Sequence, residues 1–487
     1  MLPVLCASAC DVPLAPGYRI VRQSLQVRFV PGQPAELRVR ALYTMENSGS
    51  SDLSFVDADL PREHAFGRSE VRVEVDGHEA AAANLPAGEQ FSRPDALRIP
   101  FDPVWRGKQK RQLSIEYVLR SPEDPDSRIA IGKSSFHLGP RGWLPELLPP
   151  KRVLSPYPGP PKVSEFTIRV PANFSVLAGG ASRRARKVGD EVELRLRLTP
   201  DQNVTYVVAG HYAASAQLAD TRGPSAVIWT IEPLRDDPSV GAQQIESAWE
   251  TLEKDFGSVG PNIAGPHIVE SPELRGRLSD ESGPAAVAFP AGVLVNPAAL
   301  ALGTGSDAFF GLVSRALARE WFGESLYFAD AAEVGMGEGL PDYAAIVIDE
   351  ARQGSDARPK RVAEYLRRYD EASQAATETP LSAITLNDAA GPRRIAAAKA
   401  PLFFIALEDA CGQAPMRKGL ANLLASERGR EVGYADLRSE LEQSCHQDFA
   451  PMFRLWLNGK GIPRDFRQKY QGRAVGEVAR ALPGENF

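Results

Sequence analysis

From Tyr18 to Tyr212 apolar and polar residues alternate in short segments bounded by Gly, Pro and Asp. Ser24-Leu25-Gln26-Val27-Arg28-Phe29-Val30, Val71-Arg72-Val73-Glu74-Val75 and Val192-Glu193-Leu194-Arg195-Leu196-Arg197-Leu198 are examples. Successive side chains of a strand point to opposite faces, so a period of two means one buried face and one wet face. Many such segments between turn residues predict an all-β domain of sandwich type. Past about residue 216 the alternation stops. Residues 225–300 read as strands with one helix, and helices dominate thereafter, over 308–328, 337–353 and 358–375. The fold class is multidomain β plus α, since 487 residues are too many for one core. The expected organisation is an N-terminal segment over 1–16, the all-β domain over 17–215, an α+β domain that turns mostly helical over 216–470, and a polar tail over 471–487. Prolines clustered between 139 and 162 read as a rigid loop crossing the β domain, with a Pro-rich ligand motif as the alternative.

Composition excludes several classes of function. Apolar residues make up 43% and charged residues 24%, which is ordinary for a globular chain. The net charge of −6 leaves no basic footprint, so no nucleic-acid partner is expected. No apolar run approaches the ~20 residues that span a bilayer. Met1-Leu2-Pro3-Val4-Leu5-Cys6-Ala7-Ser8-Ala9-Cys10 looks like the end of an export signal, with Cys10 placed as in a lipoprotein; a frayed N-terminus is the alternative. Cys411 and Cys445, 34 residues apart, could join two helices by a disulfide. Together these point to an exported protein, periplasmic or extracellular, with a lipid anchor as one option and a cytoplasmic location as the alternative.

The segment richest in chemical information is Ser314-Arg315-Ala316-Leu317-Ala318-Arg319-Glu320-Trp321-Phe322-Gly323. Eighteen residues beyond Arg319 stands Glu338, in Gly337-Glu338-Gly339-Leu340-Pro341-Asp342-Tyr343. Upstream stand Ala248-Trp249-Glu250-Thr251-Leu252-Glu253-Lys254-Asp255-Phe256-Gly257 and His267-Ile268-Val269-Glu270-Ser271-Pro272. Downstream stand Phe453-Arg454-Leu455-Trp456-Leu457 and Gly461-Ile462-Pro463. With the last two taken as one closing motif, these five fragments, in their order along the chain, resemble the aminopeptidase N-like zinc metallopeptidases, a gluzincin family, over about residues 17–465. The resemblance implies an N-terminal β-saddle domain followed by a thermolysin-like domain. In that family the metal helix carries H-E-x-x-H-Q-W-F-G: two His one turn apart hold Zn²⁺, and the Glu between them is the general base. A Glu on the next helix completes the ligand set.

Here the His positions hold Arg315 and Arg319, the base position holds Ala316, and only the third ligand, Glu338, is kept. Two further motifs align less closely. The family's amine-binding Glu falls at Phe289, and its oxyanion-stabilising Tyr at Ala397. Arginine stays protonated at ordinary pH, so it neither ligates zinc nor acts as a base. The resemblance therefore implies a degenerate member, a pseudopeptidase with no catalytic residue and no zinc. The expected occupant of the former metal site is a guanidinium–carboxylate bridge from Arg315 and Arg319 to Glu338. The family cleft, floored by these arginines, could take a peptide or an anionic group, and the partner would be an unidentified protein or peptide. The alternatives are a metallopeptidase-type hydrolase with a non-standard or relocated site, and an interaction protein working through the β domain.

Neighbouring residues read as structural. Glu320 is expected to be solvated or paired with Arg, Tyr343 to lie in the core and Lys399 to close a surface salt bridge. His267 is expected to be a satisfied buried His, and His211 to close the β domain.

Overall fold

The structure is a computed structural model that describes residues 17–60, 69–85, 96–121, 129–139, 143–148, 165–179, 182–197, 206–217, 226–259, 266–274, 285–290, 292–386, 388–428 and 430–470. Residues 1–16, where an export signal is expected, most of the proline cluster and the 471–487 tail lie outside them. The chain divides into two compact units, Met1–His211 and Tyr212–Phe487.

The first unit is all β. Its largest sheet has eight strands in the order Ser182–Val188, Glu191–Arg197, Glu165–Pro171, Tyr18–Val30, Glu36–Asn47, Lys110–Leu119, Ser69–Val75 and His78–Glu79. Tyr18–Val30 pairs antiparallel with Glu36–Asn47 and parallel with Glu165–Pro171. The period-two pattern sets the faces. Leu25, Val27 and Phe29 join Leu37, Val39, Ala41, Phe166 and Ile168 in one buried cluster, while the intervening residues look outward. Two four-stranded sheets supply the opposing side chains, among them Phe136, Val56 and Ile99. Tyr43 and Tyr117 are fully inside, and their hydroxyls donate to the carbonyls of Pro145 and Trp143, so neither buried O–H is left unpaired.

The second unit opens with a five-stranded sheet in the order Ala213–Gln217, Val227–Thr230, His267–Glu270, Gly292–Val295, Ala286–Phe289. Because Ala213–Gln217 pairs with Val227–Thr230, the change of unit falls at Tyr212, a few residues before the expected 216. Helices follow: α1 Ser239–Phe256, α2 Pro297–Leu300, α3 Asp307–Ala318, α4 Asp330–Gln353, α5 Ala357–Ala375, α6 Ala390–Cys411, α7 Gln413–Glu427, α8 Tyr434–Cys445 and α9 Ala450–Phe453. Trp249 and Phe256 of α1 meet Trp321 and Phe322 just beyond α3, with ring centroids 4.8 and 5.2 Å apart. The Trp-Phe pair after the motif is thus a packing device. Trp321 also donates its indole N–H to the Gly257 carbonyl at 2.7 Å, where α1 ends.

Three details place the helices that matter for function. The expected helix over 308–328 is interrupted: α3 stops at Ala318, a π-type turn spans Glu320–Glu324, and Phe322 and Gly323 leave helical φ/ψ. Gly339 in α4 has no room for a side chain, since a Cβ there would lie 2.7 Å from the Phe404 ring and 2.8 Å from Ala400 Cβ. That contact lets α4 and α6 approach closely. Finally, Cys411 and Cys445 form a disulfide that ties the end of α6 to the end of α8, with Cα atoms 5.4 Å apart.

Candidate functional site: the arginine–carboxylate cluster

Residues four apart on a helix stand one above the other on the same face. Arg315 and Arg319 form such a column at the C-terminal end of α3, where the helix dipole favours cations. Glu338 and Asp342 form a second column on α4. The two columns face each other. Arg315 bonds Asp342 through Nε, and its Nη2 lies 3.3 Å from Asp342 Oδ2 and 3.0 Å from Glu338 Oε2. Arg319 Nη2 donates to the same Glu338 oxygen at 2.6 Å. Two guanidiniums therefore meet two carboxylates in one closed network.

Burial is uneven across it. The side chain of Asp342 is 3% exposed and that of Arg319 15%, whereas Glu338 keeps 23% and Arg315 42%. The Asp342 carboxylate holds the Arg315 guanidinium above its already high ordinary pKa, against the opposing effect of burial. Burial pushes the Asp342 carboxyl above the usual carboxylate range, and the Arg315 charge pulls it back only in part. Burial, reinforced by the Asp342 charge, pushes the Tyr365 hydroxyl of α5 well above the usual tyrosine range. Asp342 is the residue that motif comparison alone passes over. The signal that finds it is spacing, since an acidic i, i+4 pair complements a basic i, i+4 pair on the preceding helix.

The other predicted positions are apolar packing. Ala316 is 4% exposed and Phe289 3%; Ala397 is half-buried in α6. Neither alanine nor phenylalanine offers a proton or a lone pair there. One expectation needs correction and a second is narrowed. Lys399 closes no surface bridge: it is 1% exposed, pairs with Glu378 at 2.8 Å and donates to the Gly459 carbonyl at 2.6 Å. Burial lowers its pKa, while Glu378 opposes the shift. Of the two alternatives for Glu320 the solvated one falls, since the residue is 1% exposed where the chain turns inward as α3 ends. Tyr343 lies in the core, where its hydroxyl bonds Glu408. His267 is largely buried, and its Nδ1 accepts the Trp229 indole N–H at 3.2 Å. His211 is exposed, and its backbone N–H donates to the Ser134 carbonyl.

A second charged network lies nearby. Arg358 of α5 grips Glu350 of α4 through two bonds of 2.7 Å and reaches Glu408 of α6 at 2.5 Å. Arg417 of α7 binds Asp255 of α1 at 2.7 Å. These pairs join five helices and set two guanidiniums against three carboxylates, each paired, which marks them as structural.

No family model matches the chain, and no curated protein matches it in sequence. Solved structures do match. The M1 zinc metallopeptidase of Deinococcus radiodurans aligns at a TM-score of 0.63 and 17% identity, covering 92% of this chain and 95% of that one. A mutant of the M1 zinc metallopeptidase from the same organism gives 0.64 at 18% identity, over 92% and 96% of the two chains. A two-domain M1 zinc metallopeptidase mutant bound to L-arginine gives 0.64 at 18%, over 92% and 95%. The chain has the M1 zinc metallopeptidase fold.

An M1 fold implies a zinc ion, and the side chains at hand do not fit one. Zinc takes neutral imidazole, thiolate or carboxylate donors. The two helix positions instead present guanidiniums, which carry no lone pair for a metal and are each engaged by a carboxylate. Among the described residues no group of three or more His, Cys, Asp or Glu side chains converges as a metal site. Glu338, the one side chain of ligand type in the M1 pattern, spends its Oε2 on both arginines.

Proposed function

We propose that this chain is a catalytically degenerate M1-type protein that works as a binding or scaffold module. One observation carries the reading: Arg315, Arg319, Glu338 and Asp342 close on one another at the metal-helix positions. Hydrolysis at this place would need a metal-bound or base-activated water, and Ala316 can supply neither. The cluster pins α3 to α4 instead. Its formal charges balance, so tight capture of a free anion by both arginines is disfavoured. Arg315 is the member that a ligand can reach, because nearly half of its side chain is exposed. A peptide carboxylate is the ligand class that suits it. One solved neighbour is bound to the substrate Tyr-Ser-Ala, which makes that peptide a natural probe. We further propose an exported location, supported by the Cys411–Cys445 disulfide, since such bonds persist in oxidising compartments.

Incubation of the purified chain with Tyr-Ser-Ala, with and without added zinc, tests the reading. The expected result is no cleavage under either condition. Zinc-dependent release of the N-terminal tyrosine would overturn it. Mass spectrometry of alkylated thiols in secreted, envelope and cytoplasmic fractions tests the location, with the oxidised pair expected outside the cytoplasm.

A further inference from the structure

We propose that the outer face of the eight-stranded sheet in the first unit is a docking surface for an acidic segment of a partner protein. The register of the sheet brings three arginines into line. Arg38 lies directly opposite Arg28 on the neighbouring strand, and Arg28 lies directly opposite Arg169 on the next. Adjacent strands are ~4.8 Å apart, so the row crosses about 10 Å of sheet. Like charges placed opposite each other destabilise a sheet. Folding alone therefore disfavours the row, and a ligand that neutralises it would offset the cost.

The chain's own carboxylates serve only part of the row. Arg28 pairs with Glu191 at 2.9 Å and Arg169 with Glu193 at 2.5 Å. Arg38, exposed between strands, has no ion pair among the described residues. Around the row lies an open depression of about 900 Å³ lined by six arginines and four glutamates, with no lysine. This face is thus positive on a chain whose net charge is −6. Arginine in place of lysine favours forked recognition of carboxylates. The interleaved glutamates disfavour a uniformly charged polymer, which they would repel. They suit a polypeptide, whose acidic groups alternate with neutral and basic ones. On a helix, carboxylates at i, i+4 and i+7 span ~10 Å, which matches the distance from Arg38 to Arg169. The inference is independent of the cluster in the second unit.

The test is fluorescence anisotropy of a labelled helical peptide with Glu at i, i+4 and i+7, titrated with the full chain. An oligonucleotide and a heparin fragment serve as rival probes. Saturable binding of the peptide is expected, weakened about tenfold by Arg28→Gln/Arg38→Gln and reduced by raising salt from about 50 to 150 mM. Arg38→Gln alone, at an exposed position, is expected to weaken binding severalfold without disturbing the fold, and Arg235→Gln in the other unit to leave it unchanged. Absence of binding, equal affinity of the Arg38→Gln variant, or tighter binding of the oligonucleotide or heparin would each overturn the proposal.

Discussion

Replacing Arg315 with methionine keeps most of the apolar stem and removes the charge that faces Asp342. The Asp342 side chain is only 3% exposed, so its carboxylate would be left buried beside the like-charged Glu338, with Tyr365 and Arg319 as its other neighbours. Breaking a fully buried pair costs about 3–5 kcal/mol, and the partial exposure of Arg315 reduces this to roughly 2–3 kcal/mol. Asp342→Leu alone strands a cation that keeps Glu338 and water, at a cost of about 1 kcal/mol. The double variant Arg315→Met/Asp342→Leu removes both charges and is expected within about 1 kcal/mol of the parent. The coupling in this cycle is therefore about 3 kcal/mol. Urea denaturation followed by near-ultraviolet dichroism measures all four proteins. The pH dependence supplies a second check. In the methionine variant the folded carboxyl has a pKa above its unfolded value, so the native state binds more protons. Its stability then falls as pH rises through that window, and the penalty is smaller at about pH 5 than at about pH 7.5. Additive single variants, or a penalty that grows on acidification, would refute the claim that Arg315 neutralises a buried Asp342.

Other consequences can be measured separately. Reduction of Cys411–Cys445, which closes a loop of 34 residues, is expected to cost roughly 2–4 kcal/mol in thermal or urea unfolding, matched by the double serine variant. Gly339→Ala forces a methyl group into Phe404 and Ala400 and is expected to destabilise the second unit by about 1–3 kcal/mol, whereas Gly354→Ala, with open space around it, should act only through its positive φ. Burial lowers His137 to about 4, so the unfolded state binds the proton first as pH falls from 6.5. The stability due to neutral His137 is complete above that range and is lost towards pH 4, by roughly 3 kcal/mol, with hydrogen exchange of Ser135–Leu138 as the readout and His137→Gln flattening the slope.

Much of the architecture was legible because its signals are local. Alternation along Ser24–Val30 gave both the strand and its buried face, and the five ordered fragments pointed to the M1 fold that the solved neighbours share. Arg315, Arg319 and Glu338 were found by position along the chain, and the structure brings the three side chains together. What escaped depended on distant partners. Lys399 reads as a surface residue until Glu378 and the Gly459 carbonyl close around it. Glu320 reads as solvated or Arg-paired, and the turn after α3, which carries it inward, removes the first of these. The Arg38–Arg28–Arg169 row exists only in the sheet register, since no sequence spacing links 38 to 169.

The most direct test of the central claim is zinc content, measured by mass spectrometry on protein purified without chelators and again after zinc is added back and the excess removed. The predicted result is below about a tenth of an equivalent in both samples, since guanidiniums engaged by Glu338 and Asp342 offer zinc no donor. Zinc held near one equivalent, and lost on Glu338→Gln, would contradict it and restore a metallopeptidase reading.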